Sequence, residues 1–210
     1  MLPSLRRTDP RQIELHNGDR MSREEFLRRW EQIPELKQAE LIKEVVYLAS
    51  PVSTARGSYD ILLGSWLSFY AYASGQDLLI TGNTTLLLDD RSFQPDIAVV
   101  KRRQGLAKTP YLEQLPDLVV EISYSSQSYD LGPKLAAYRS AGIRDYITVL
   151  LREQRVEWRV LSGSRYRVLN ASKDGILRSV NFPGLWLDTN ALFPHDRQRL
   201  FGAIHSGLAK

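Results

Sequence analysis

The chain contains no cysteine, which removes disulfides and thiolate metal sites and fits a reducing cytoplasm. Histidine is scarce: His16, His195 and His205 all fall in segments that read as terminal or loop. This argues against a histidine-built zinc centre and against a Ser-His-Asp triad. No glycine-rich loop of the P-loop or dinucleotide type occurs, so ATPase and Rossmann-type chemistry are set aside. No apolar run reaches the ~18 residues of a membrane span, and the first residues lack the apolar centre of a signal peptide. The expected location is cytoplasmic, with no membrane association. Long basic blocks are missing too. Arg6-Arg7, Arg28-Arg29 and Lys101-Arg102-Arg103 are short, and a net charge of +4 permits nucleic-acid binding without demanding it.

What is present is a chain of 210 residues, 43% hydrophobic and 25% charged, enough for one domain with a full core. Residues 1–20 read as a loose polar arm. Ser22-Arg23-Glu24-Glu25 has the form of a capping box, so a short helix starts near Arg23 and ends before Pro34. A helix end or turn and then a strand over 44–49 are expected next, closed by Pro51. Tyr59, Leu62, Leu63, Trp66, Leu67 and Tyr70 recur at steps of three and four, which predicts an amphipathic helix over 55–74 stopped by Gly75. Its aromatic stripe reads as core. Short strands follow over 78–81 and 84–88, a turn over 89–92, and a strand over 93–100. A polar connection over 101–116 includes a short helix around Leu112. A strand over 117–123 is the most buried-looking of all. Strands over 146–151, 156–161 and 166–169 form a meander, with one more over 176–180. Phe182 to Leu187 reads as a packed turn leading to a short helix near Leu192, and residues 194–210 as a peripheral tail, leaving 21–193 as the domain.

The chemistry concentrates between Phe93 and Ile143. Gln94-Pro95-Asp96 leads into the apolar run 97–100, and Glu121 lies near the end of the run 118–123. A carboxylate in a strand buried on both faces is costly unless a cation compensates it. A hydroxyl-rich loop over 124–129 suits phosphate oxygens, although such loops are more often turns. Asp130 reads as the N-cap of a helix with Pro133 in its first turn, running through Lys134 and Tyr138 to Gly142. Lys134 and Tyr138 are four apart and share a face. Asp96 and Glu121 on neighbouring strands, with Lys134 entering from the helix, suit a hard cation such as Mg²⁺ and charge stabilisation at a phosphate.

Pro95-Asp96, Glu121 and a following lysine resemble the PD-(D/E)xK nuclease superfamily. The wider pattern Glu121-Ile-Ser-Tyr-Ser-Ser126, Tyr129-Asp130, Lys134, Tyr138, Ala141-Gly142-Ile143, Asp145-Tyr146 is similar to its bacterial putative restriction endonuclease family, over roughly residues 22–192. The usual lysine two residues after the glutamate is Ser123 here, and the resemblance assigns its role to Lys134 on the next helix. It also brings Glu40 to the acidic pair. The implied fold is α/β: a restriction endonuclease-like core with a central mixed sheet flanked by helices, extended by the C-terminal β-meander. The implied function is a metal-dependent DNA endonuclease. In it Asp96, Glu121 and Glu40 are Mg²⁺ ligands, with Mn²⁺ a substitute, Lys134 positions water or holds the phosphate, and Gln94 and Tyr138 support the ligands. The resemblance further implies a homodimer, since a duplex has two strands to cut. A second reading stays open: a nuclease-fold protein that no longer cleaves and serves as a nucleic-acid-binding or regulatory module.

Overall fold

In the computed structural model, residues 14–49, 52–101 and 109–209 are described. The expectations for residues 1–13, for the stop at Pro51, and for the basic residues Arg6, Arg7, Arg102 and Arg103 lie outside that range. Helix α1 (Arg23–Trp30) starts as its capping box requires: the Ser22 side chain accepts from the Glu25 N–H, and Glu25 pairs with Arg28 and Arg29. Strands β1 (Ala39–Ile42) and β2 (Val45–Leu48) then form a hairpin. Only the second of these was expected; where a helix end or turn was read, β1 is a strand. Its hairpin turn holds Lys43 and Glu44 at positive φ.

Helix α2 (Thr54–Ser74) is capped by Ser53 and ends on Gly75 at φ +67°, a left-handed conformation that costs glycine nothing. Its predicted apolar face is the buried one: Leu62, Leu63, Trp66, Leu67 and Tyr70. Strands β3 (Leu78–Gly82), β4 (Leu86–Leu88), β5 (Arg91–Phe93) and β6 (Ile97–Lys101) follow. The strand expected over 93–100 is therefore two strands in two different sheets. Pro95 has no N–H to give a ladder, so pairing stops there and the chain passes from one sheet to the other. Residue Leu112 bridges to Leu86 in extended pairing rather than lying in a helix.

Strand β7 (Leu118–Ser123) is buried along its whole length. The segment after it departs from expectation. A short α3 (Gln127–Tyr129) runs into a π-helical turn (Asp130–Lys134) and then α4 (Leu135–Ala141). Asp130 is thus inside a continuous helical segment and not its N-cap. Pro133, lacking an N–H, sits where the wider turn dispenses with one. Strands β8 (Asp145–Leu150), β9 (Arg155–Ser162) and β10 (Arg165–Val168) form the predicted meander. Strands β11 (Ile176–Arg178) and β12 (Trp186–Asp188) pair as a ribbon, followed by α5 (Thr189–Leu192) and α6 (Arg197–Leu208). The expectation of a peripheral tail fails here: Leu200 and Ile204 of α6 are fully buried in the main core.

The main sheet runs β10-β9-β8-β7-β6-β3 and is mixed, with β7 and β8 parallel and the other neighbours antiparallel. The β7–β8 crossover is made by the α3–α4 segment. Side chains alternate across β7. Leu118, Val120 and Ile122 meet α2 and α6 in the larger core cluster, whereas Val119 faces Tyr138 and Tyr146 on the α4 side. Glu121 shares that second face. The smaller sheet, β2-β1-β5-β4, lies on the same side, bringing Ile42, Leu86 and Phe93 against Tyr138.

Candidate active site

Register explains how two distant carboxylates meet. Ile97 pairs with Val120, so Asp96, one residue before, falls beside Glu121, one residue after. Asp96 is 2% exposed, and its Oδ2 accepts from the Ile122 N–H at 2.6 Å. Its Oδ1 pairs with Nη2 of Arg56, which arrives from the first turn of α2 and also donates through Nε to the Ile122 carbonyl at 3.1 Å. Burial pushes the Asp96 carboxyl above its usual range, opposed by Arg56, Lys134 and the Ile122 N–H.

Lys134, 3% exposed, lies between the two sheets. Its Nζ is 2.8 Å from Glu121 Oε1 and 3.0 Å from Glu40 Oε1, and 3.4 Å from the Gln94 carbonyl. Burial by itself would lower its pKa. Glu121, Glu40, Asp130 and Asp96 together overcome this and hold it above the ordinary lysine value, so it stays an ammonium. An exposed helix lysine could not reach these groups; the π-helical turn points this one inward.

Glu121 also accepts from the Tyr138 hydroxyl at 2.8 Å. Desolvation raises its pKa well above the usual value, against the pull of Lys134. Glu40 reaches the site because β1 is a strand. Its Oε1 accepts from the Gln94 N–H at 2.6 Å and its Oε2 from the Tyr129 hydroxyl at 2.8 Å. The Gln94 side chain braces the same corner, accepting from the Ala39 N–H at 3.0 Å and reaching Thr85 Oγ1 at 3.3 Å. All six residues singled out in the sequence therefore meet in one place.

Two more belong with them. Asp130, 3% exposed, accepts from Ser126 Oγ at 2.5 Å, and burial raises its pKa against Lys134, Ser126 and Ser123. It is four residues before Lys134, a helical spacing that was a usable signal. Arg56 carried no signal, because only the tertiary fold brings α2 to Asp96. Ser123, where the usual motif lysine would stand, is buried with its Oγ 3.4 Å from Ser126 Oγ.

Glu40, Arg56, Gln94, Asp96, Glu121, Asp130 and Lys134 line a cleft of about 330 Å³ whose rim adds neutral donors, among them Asn17, Gln38, Asn83, Ser125 and the half-exposed Tyr124. Four carboxylates (Glu40, Asp96, Glu121, Asp130) face two cations (Arg56, Lys134). With all ionised, negative charge exceeds positive by the charge of one divalent ion, and every negative donor is an oxygen. That chemistry fits a hard cation. Among the described residues, no three Asp, Glu or His side chains are grouped as ligands of one ion as they stand; Arg56 and Lys134 sit on the nearest oxygens.

A mixed sheet flanked by helices, with this acidic cleft at the edge of two adjacent strands, is a restriction endonuclease-like nuclease fold. The crystal structure of a putative nuclease belonging to DUF820 from Anabaena variabilis has the same fold, with a TM-score of 0.68 and 17% identity, over 83% of this chain and 98% of that one. The chain belongs to the Uma2 family, described as putative restriction endonuclease, whose profile matches residues 23–190. No curated protein matches. No helix among the described residues is long and apolar enough to cross a membrane.

Proposed function

We propose that the protein is a metal-dependent DNA endonuclease hydrolysing phosphodiester bonds. The observation that carries this reading is Lys134, a fully buried ammonium held between Glu121 and Glu40 with Asp96 on the adjoining strand. Burying a charge at this cost with no functional return is unusual for a lysine, and buried ion pairs add little to stability. Membership of the family supports the nuclease class.

Asp96 and Glu121 would hold a divalent cation, Mg²⁺ or in its place Mn²⁺, with Glu40 assisting. Such an ion, when bound, supplies Lewis acidity and neutralises charge at the scissile phosphate. The protein's own groups do the rest. Lys134 remains protonated, so it acts as a hydrogen-bond donor to water or to a phosphate oxygen and not as a base. Tyr138 and the Gln94 N–H fix the rotamers of Glu121 and Glu40. Asn17, Asn83, Ser125 and Tyr124 offer neutral contacts to the nucleic-acid backbone at the rim. Arg152 lies over the Tyr124 ring at 4.8 Å, adding one positive charge beside it. Two strands must be cut for a double-strand break, which fits action as a homodimer. The lack of cysteine fits work in the cytoplasm.

One observation favours the alternative of a non-cleaving nucleic-acid-binding or regulatory module: Arg56 already neutralises Asp96. Incubation of supercoiled plasmid with the pure protein and Mg²⁺ or Mn²⁺ separates the two. Metal-dependent nicking that disappears in Asp96→Asn and Lys134→Met is the expected result. Retention of DNA in a gel shift with no nicking under any metal would replace the nuclease by the binding module.

A further inference from the structure

Arg56 poses a problem for cation binding at Asp96. One Asp96 oxygen pairs with the guanidinium and the other accepts from a backbone N–H. A divalent ion and a guanidinium cannot share a carboxylate oxygen without strong repulsion. Arg56 therefore needs somewhere else to go. One helical turn further along α2 is Asp60, and residues four apart on a helix are neighbours. Asp60 Oδ1 is buried and accepts no hydrogen bond. Burial and the charge of Asp96 push the Asp60 carboxyl up to about 6 against the pull of Arg56, so its need for a positive partner is only partly met. The guanidinium carries five N–H donors, and its hydrogen bonds run through Nε and Nη2 to Ile122 and Asp96.

Resting on the reading of Asp96 as a cation ligand, we infer that Arg56 is a displaceable counter-charge that holds Asp96 in the cation-free protein and exchanges onto Asp60 when a divalent ion takes its place. Arg56 and its second partner Asp60 both lie on α2, so the exchange needs side-chain rotation and no movement of the helix. Asp60 touches neither ion nor substrate. It acts as a positioning residue, making the departure of Arg56 from Asp96 nearly neutral in energy. Without Asp60, the arginine would leave its ion pair for no equivalent partner, and the ion would bind against that loss.

The test is Mn²⁺ binding to the full-length protein by isothermal titration calorimetry, in a double-mutant cycle of Asp60→Asn and Arg56→Gln, with circular dichroism checking that each variant is folded. Asp60→Asn is expected to weaken Mn²⁺ binding about tenfold, within the usual range for coupled sites. Arg56→Gln is expected to tighten it, and Asp60→Asn on the Arg56→Gln background to change nothing further. Equal weakening by Asp60→Asn in both backgrounds would reduce Asp60 to a nearby negative charge and overturn the exchange. Weakening by Arg56→Gln would do the same. Absence of Mn²⁺ binding in every variant, Arg56→Gln included, would overturn the cation reading of Asp96 itself, and the exchange with it. Should Arg56→Gln not fold, the Arg56 Nε–H resonance decides. It should move on Mg²⁺ titration of the wild type, and in Asp60→Asn only at about tenfold higher Mg²⁺; an unmoved resonance in the wild type, or the same midpoint in both proteins, counts against the exchange.

Discussion

Replacing Lys134 by methionine keeps the length of the side chain and deletes its charge. With an effective dielectric constant near 20, contacts of 2.8 and 3.0 Å correspond to about 6 and 5.5 kcal/mol of attraction to Glu121 and Glu40. Desolvation of the ammonium, several kcal/mol, is recovered when it is removed, leaving a net loss of about 3–5 kcal/mol for breaking a buried pair. The loss depends on pH. In the wild type the Glu121 pKa is already raised, by burial first. Between the unfolded value of about 4.3 and its native value, the native protein holds a proton that the unfolded chain releases. Stability from this group is therefore full below that window and falls as pH rises through it. Lys134→Met pushes the native Glu121 value higher still, and those of Asp96 and Asp130 in the same direction, so the variant loses stability more steeply with rising pH. Lys134 itself adds no slope below its own ordinary range, because its pKa is raised. The expected result in thermal denaturation is a Tm lower by about 6–20 °C at pH 8, taking 2–4 °C per kcal/mol for a domain of this size. At pH 5, where the carboxyls can protonate, the deficit should be less than half as large. A deficit that is the same at both pH values would refute the view that unpaired carboxylates cause it.

Asp96→Asn keeps an acceptor for the Ile122 N–H and should fold, while plasmid nicking drops by about three orders of magnitude, the scale on which removal of one preorganised electrostatic group is felt; nicking within a factor of ten of the wild type would remove Asp96 from the site. Tyr138→Phe deletes the hydroxyl that donates to Glu121 and should cost about 1–2 kcal/mol in denaturant unfolding. It should also move the acid limb of the cleavage profile to higher pH, since the ionised form loses a donor; an unmoved limb would mean that Glu121 does not set it. Leu200→Ala, at a fully buried position of α6, should lose about 2–5 kcal/mol, whereas a truly peripheral C-terminal helix would tolerate it without change in midpoint.

Local pattern determined a good deal of this protein. The i, i+3, i+4 stripe of Leu62 to Tyr70 specifies α2 and its buried face, because a helix of that length can bury only one side. Apolar runs at 97–100 and 118–122 specify strands covered on both faces, and the cost of a carboxylate in such strands marked Asp96 and Glu121. Other features depended on interactions between segments. Glu40 stands in β1 because that hairpin finds a second sheet to pair with, and nothing in its local pattern distinguishes this strand from the end of a helix. Pro95 splits one apparent strand into two, and only the existence of two sheets makes the split useful. The inward course of Lys134 follows from a π-helical turn, a difference of one residue in hydrogen bonding that propensity does not encode. Arg56 and Asp60 are visible only as polar residues on α2 until the packing of that helix against β7 brings them to Asp96. Sequence thus determined which segments are apolar and which bear charge, since burial acts on each segment by its own periodicity. Tertiary structure decided which charges face one another, since Coulomb interactions depend on distances that only the packed sheets and helices set.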